Sequence, residues 1–121
     1  MIINKTMVPE SVEDGQGTLV RRNGKVIAYE HGSVTNVYIF HEDAGDGVRA
    51  MELKVPVPVT RAKCINAAEM AAYGLNDAMD VASFASSLSR KERKGEDLEE
   101  VQEHDTFIGD VKTELTSLGI L

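Results

Sequence analysis

Met51-Glu52-Leu53-Lys54-Val55-Pro56-Val57-Pro58-Val59 is the stretch that decides the fold. Every odd position is apolar, and every even one is polar or proline. A period of two sends alternate side chains to opposite faces, so this stretch predicts a strand with one oily face turned to a core. In a strand, the N–H groups of residues i and i+2 point to the same margin. Pro56 and Pro58 therefore delete donors from one margin, and this end of the strand is expected at the border of its sheet. The same substitution of donors opposes edge-to-edge aggregation.

Toward the N-terminus the alternation continues. Asn23-Gly24 sits between two strand-like runs, and both residues tolerate the positive φ that a type I′ turn needs. Counting outward pairs Arg22 with Lys25, Arg21 with Val26, Val20 with Ile27, Leu19 with Ala28 and Thr18 with Tyr29. That register places Val20, Ile27 and Tyr29 on one buried face. Val34–His41 reads as a strand covered on both sides, because Val37, Tyr38, Ile39 and Phe40 are all apolar. Asp43–Gly47 is a turn, and Val48–Val59 returns as the next strand. Met1–Gln16 is a lead-in from which Ile2, Ile3, Met7 and Val8 can supply an edge strand or lie on the surface.

Beyond Pro58 the apolar period changes to three and four. Thr60 is placed to cap a helix through Tyr73, with Ile65, Ala68, Ala72 and Leu75 near one face and Gly74 ending it. Asn76 is the expected cap of a second helix running to about Lys94, with Asp77 and Asp80 in its first turn. Its middle, Val81–Leu88, is rich in small residues that allow close packing. Gly95 ends it, and Glu96–Leu118 is the third helix. The fold class predicted is α+β: a four-stranded antiparallel sheet of Thr18–Arg22, Lys25–Glu30, Val34–His41 and Val48–Val59, packed by three helices. Met51, Leu53, Val55 and Val57 are expected against those helices. One domain spans 1–121, mainly β over 1–59 and mainly α over 60–121.

Bulk composition bounds the function. A chain of 121 residues is one ordinary domain, able to bury roughly two-thirds of its unfolded surface. Aromatic content is 5% with no Trp, which disfavours stacking platforms for bases or sugars. The net charge of −7 opposes nonspecific binding to nucleic acid. Residues 1–59 hold 6 basic and 8 acidic side chains, and residues 60–121 hold 7 and 12, so the helical half is the acidic half. A single cysteine, Cys64, excludes an internal disulfide. Without a signal-like run or a membrane-length apolar stretch, the expected location is cytoplasmic, with no membrane partner.

Candidate sites stand beside plainer readings. The run Arg90–Lys94 followed by Glu96–Glu100 could be a phosphate patch. Cations closing one helix and acids opening the next explain both signs at once, and that structural reading is preferred. Arg21-Arg22-Asn23-Gly24-Lys25 is a basic hairpin tip, a route to nucleic-acid contact that lacks any flanking aromatic. His41–Gly47 offers oxygen and nitrogen ligands without the spacing of a calcium loop, so a turn is expected there. Cys64, near Arg61 and Lys63, is read as a small buried residue rather than a nucleophile.

The third helix is the most ordered. Val101, Ile108 and Leu115 recur every seven residues, His104, Val111 and Leu118 follow three residues on, and Phe107 widens the stripe. The plain reading is a packed helix face with one hydrogen-bonded histidine. The sharper one is a self-association surface of Val101, His104, Phe107, Ile108, Val111 and Leu115, made pH-sensitive by the imidazole.

No catalytic residue, cofactor site or metal site is assigned. The function expected is a non-enzymatic interaction or assembly domain whose partner is itself or another protein, suited to a larger particle or a mobile element. The alternatives are a small enzyme or ligand- or metal-binding domain, in which His31, His41 and His104 converge with acidic residues, and nucleic-acid contact through residues 21–25.

Overall fold

The structure, a computed structural model, describes residues 1–121. In chain order it contains β1 (Thr6–Met7), β2 (Thr18–Arg22), β3 (Lys25–His31), β4 (Val34–Asp43), β5 (Val48–Pro56), α1 (Arg61–Tyr73), α2 (Ala78–Lys94) and α3 (Leu98–Ser117). The fold is α+β, with the sheet from the first half and the helices from the second. The antiparallel sheet has five strands rather than the expected four, in the order β1-β5-β4-β3-β2. The fifth is β1, two residues of the lead-in that pair Thr6 with Ala50 and Met7 with Arg49.

The decisive stretch behaves as a strand through Pro56. Met51, Leu53 and Val55 are buried and pack with α1 and α3 residues in one core cluster. Val57 does not join them and is 49% exposed. The reason is its neighbour: β4 begins at Val34, opposite Pro56, so beyond that point no strand remains to pair with. The Val57 amide still donates to the Ser33 carbonyl at 3.1 Å, on the β4 side. By alternation, Pro56 faces the other margin, which β1 covers only at Arg49 and Ala50, whereas Pro58 lies past the strand in a bend. The sheet-border position inferred from the prolines is thus the observed one.

The hairpin register holds for Arg22–Lys25 and Arg21–Val26, then slips by one. Val20 pairs with Ala28, so Ile27 is the extra residue of a β-bulge. Ile27 and Ala28 both enter the helix-side core, and Tyr29 turns to the opposite face beside Leu19. The expected sharing of one face by Val20, Ile27 and Tyr29 is corrected accordingly. A second bulge places Phe40 and His41 across from Ala50, with Phe40 at φ 56°. Its amide donates to the Glu114 Oε2 of α3 at 3.1 Å, fixing that bend against the helix.

Because β1 and β2 lie at opposite margins, residues 8–17 cross the whole sheet on the face away from the helices. Val8 packs there with Val26, Tyr38 and Ala50. The strap is fastened by the Tyr29 hydroxyl, which donates to the Gln16 carbonyl at 2.5 Å, and by Arg21, which donates to the Glu10 carbonyl at 2.6 Å. Gly17 lies so close to β3 that a Cβ there would stand 2.4 Å from the Glu30 carbonyl oxygen.

The helix ends follow the predicted chemistry. Thr60 caps α1 by accepting from the Lys63 amide, and Gly74 takes the left-handed conformation that closes it. Asp77, one residue past the expected Asn76, caps α2 by accepting from the Asp80 amide, and Gly95 ends it. α3 starts two residues later than expected, at Leu98. No helix is long and apolar enough to cross a membrane.

Candidate functional site

The stripe on α3 turns inward. Val101, Phe107, Val111 and Leu115 are buried, with Leu115 and Val111 fully enclosed among β4, β5 and α1 residues, and Ile108 packs at the edge of the same cluster. The surface that the heptad pattern offered to a second chain is therefore occupied by the protein's own sheet. An apolar period reports that a face is covered and says nothing of what covers it.

His104 fills the position that the plain reading gave it. Its Nε2 lies 3.2 Å from the Glu69 Oε2 of α1, and both side chains are largely buried. A carboxyl group at 8% exposure needs such a partner. The imidazole also stands against Tyr73 of α1 and Phe84 of α2, with ring centroids 5.6 and 5.5 Å away. One residue from α3 thereby joins all three helices. The Tyr73 hydroxyl, enclosed beside this group, has no hydrogen-bond partner. Burial raises the Tyr73 pKa, and the carboxylates of Glu103, Glu69 and Glu100 add to the effect. The phenol therefore stays neutral. Asp105 is peripheral, 3.9 Å from the His104 Nδ1.

The other histidines lie elsewhere. His41 Nε2 is 2.9 Å from the Val26 carbonyl oxygen, beneath the hairpin tip. His31 stacks on Tyr29 with centroids 4.4 Å apart, beside Gly17 of the strap. No cluster of three His, Cys, Asp or Glu side chains is placed to hold a metal ion. The turn after His41 closes by an Ala44 amide to Gly47 carbonyl bond, and Glu42 pairs with Lys5 at 2.9 Å. Cys64 is fully buried, and burial pushes its thiol pKa up, away from the reactive thiolate. At the hairpin tip, Arg21 is held by the strap, while Arg22 runs beside Gly119 near the C-terminus.

The charged run between α2 and α3 divides. Lys91 bridges Glu100 at 3.0 Å and Asp97 at 3.5 Å, joining the end of one helix to the start of the next. Arg90 and Arg93 take no part in any ion pair and remain exposed. They continue a face of α2 that begins with Met79, 77% exposed, and runs through Ala82, Ser86 and Ser89. In all of α2 only Leu88 is buried, and the helix rests mainly on α3 and α1.

A second open surface lies beside α3. An open groove of about 580 Å³ runs between that helix, the N-terminal residues and the β4 bulge. Met1, Ile3, Phe40 and Phe107 give its apolar part, and Glu99, Glu103 and Asp110 give its acidic part. Lys5 also lines it, but its charge is matched by Glu42. Sequence reasoning missed this groove because its walls come from three distant segments. The exposed acids at 99, 103 and 110 were its one visible sign. No family model matches the chain, and comparison with curated proteins and with solved structures finds no match.

Proposed function

We propose that this chain is a non-enzymatic protein-interaction domain that self-associates as part of a larger assembly. The observation that carries this reading is α2. A helix of 17 residues with a single buried side chain contributes little to the core that holds the rest together. In proteins, most helical stability comes from packing an apolar face, and a helix with so little of it is favoured by a further partner. The scattered histidines and the raised thiol pKa give no opposing sign of a reaction centre. A repeating particle or a mobile element is the setting such a domain suits, and the cytoplasm is the compartment assigned, consistent with Cys64 as a free buried thiol. Sedimentation equilibrium over a wide concentration range tests the reading: mass rising above that of one chain supports it, and a constant 13.2 kDa species overturns it.

A further inference from the structure

We propose that the outer face of α2 docks into the acid-lined groove beside α3 of a second copy of the chain. This deepens the self-association reading and rests on it.

Two surfaces of one molecule carry the argument. The first is a helix face that is apolar at Met79, small at Ala82, Ser86 and Ser89, and cationic at Arg90 and Arg93. The residues at 79, 82, 86, 89, 90 and 93 fall on one side at helical spacing, opposite the buried Leu88. Small side chains along the middle let another backbone approach closely, and neither arginine has an internal partner. The second surface is the groove of about 580 Å³, with Glu99, Glu103 and Asp110 spaced along one side of α3 and Ile3 and Phe40 across from them. Glu99 and Asp110 have no cation within ion-pair distance, and Glu103 has only the terminal amine of Met1 at 3.6 Å. Each surface supplies what the other lacks: a cationic end with small and apolar residues meets an acidic wall with an apolar floor.

Both patches lie on one molecule, on the neighbouring helices α2 and α3. Two copies can therefore exchange the contact reciprocally across a two-fold axis, or repeat it head-to-tail into a ring or an open chain. The net charge of −7 makes copies repel at long range. At an ionic strength of about 0.15 M that repulsion is screened beyond roughly 8 Å, whereas ion pairs formed in contact are screened much less. Association is therefore strongest near that ionic strength and not at very low salt.

Sedimentation velocity at about 0.15 M salt tests the proposal with the wild type and two double variants, Arg90→Glu/Arg93→Glu and Glu99→Arg/Asp110→Arg. All four side chains are exposed, and unchanged thermal melting of each variant verifies that folding is intact. The expected result is concentration-dependent association of the wild type, at least tenfold weaker association of each variant alone, and recovery when the two variants are mixed. Recovery follows because each variant retains the surface that the other has lost, and the reversed charges also complement. If both variants associate as the wild type does, these surfaces are wrong while self-association stands. If the wild type is monomeric throughout, both readings fall together.

Discussion

Fourteen buried residues fill the space between sheet and helices, whereas four lie beneath the strap on the other face. The two coverings differ in kind. α1 and α3 bring backbones whose hydrogen bonds are already satisfied, so they can lie over apolar side chains and add many contacts at once. Residues 8–17 form no helix or strand; the Val8 amide donates to the Val48 carbonyl, the Gln16 amide to the Glu13 carbonyl, and the segment is otherwise held at a few points. On the helix side, stability is spread over a contiguous core. On the strap side it is concentrated where Gln16, Gly17 and Glu10 meet the sheet.

The largest expected effect is on the helix side. Leu115 is fully enclosed, so Leu115→Ala leaves a cavity and should cost about 2–5 kcal/mol, lowering Tm by roughly 10 °C or more. Calorimetry checks this, and a loss below about 1 kcal/mol would break the claim that α3 closes the core together with α1.

The strap makes a sharper test, because its effect should depend on one atom. A Cβ on Gly17 would meet the Glu30 carbonyl and stand 2.8 Å from the Tyr29 ring, at a φ of +122°. Gly17→Ala should therefore cost about 2–3 kcal/mol, against about 1 kcal/mol for Gly15→Ala, which meets nothing within 4 Å. Urea unfolding of both variants measures the difference, and equal losses would mean that the strap is not seated as described.

Next in size is the joint between helices. His104→Phe leaves the buried Glu69 carboxylate without its partner and should cost about 1–2 kcal/mol. The further change Glu69→Leu should recover most of that loss, because an apolar pair in place of a buried polar one is often neutral. A double-variant cycle in chemical denaturation reads the coupling.

At neutral pH the smallest effect belongs to the face under the strap, because it shows only in alkali. Burial, with the Glu52 carboxylate adding to it, pushes the Tyr38 pKa up to about 12 from 10.0. In the unfolded chain the phenol ionises near 10, while in the folded chain it stays protonated longer. The stability it contributes is therefore full below pH 10 and is lost as the pH rises through about 12. Tyr38→Phe should flatten that part of the decline, as followed by unfolding at a series of alkaline pH values. An unaltered profile would mean that the outer face is open to water.

The helix side was far more legible in the sequence than the strap side, and the residues explain why. Alternation in Met51–Val55, the cap at Thr60 and the glycines at 74 and 95 are local signals of local geometry. The bulge at Ile27 has no such signal: Val26, Ile27, Ala28 and Tyr29 are all acceptable on either face, so the register could slip unseen. The seven-residue period of α3 was visible, but its partner depends on where the sheet lies. His104 stood out in its stripe, while Glu69 lies 35 residues away and became its partner only through the packing of α1 on α3. The strap was hidden for the same reason: only the strand order places β1 and β2 at opposite margins.

That strand order also fixes a timetable. Met7 and Thr6 are made early, but Arg49 and Ala50, their ladder neighbours, do not exist until most of the β half has left the ribosome. The Asn23–Gly24 hairpin needs no such wait. β1 is thus made before the strand it pairs with, and the buckle across Tyr38 can fasten only after the body it encloses has taken shape.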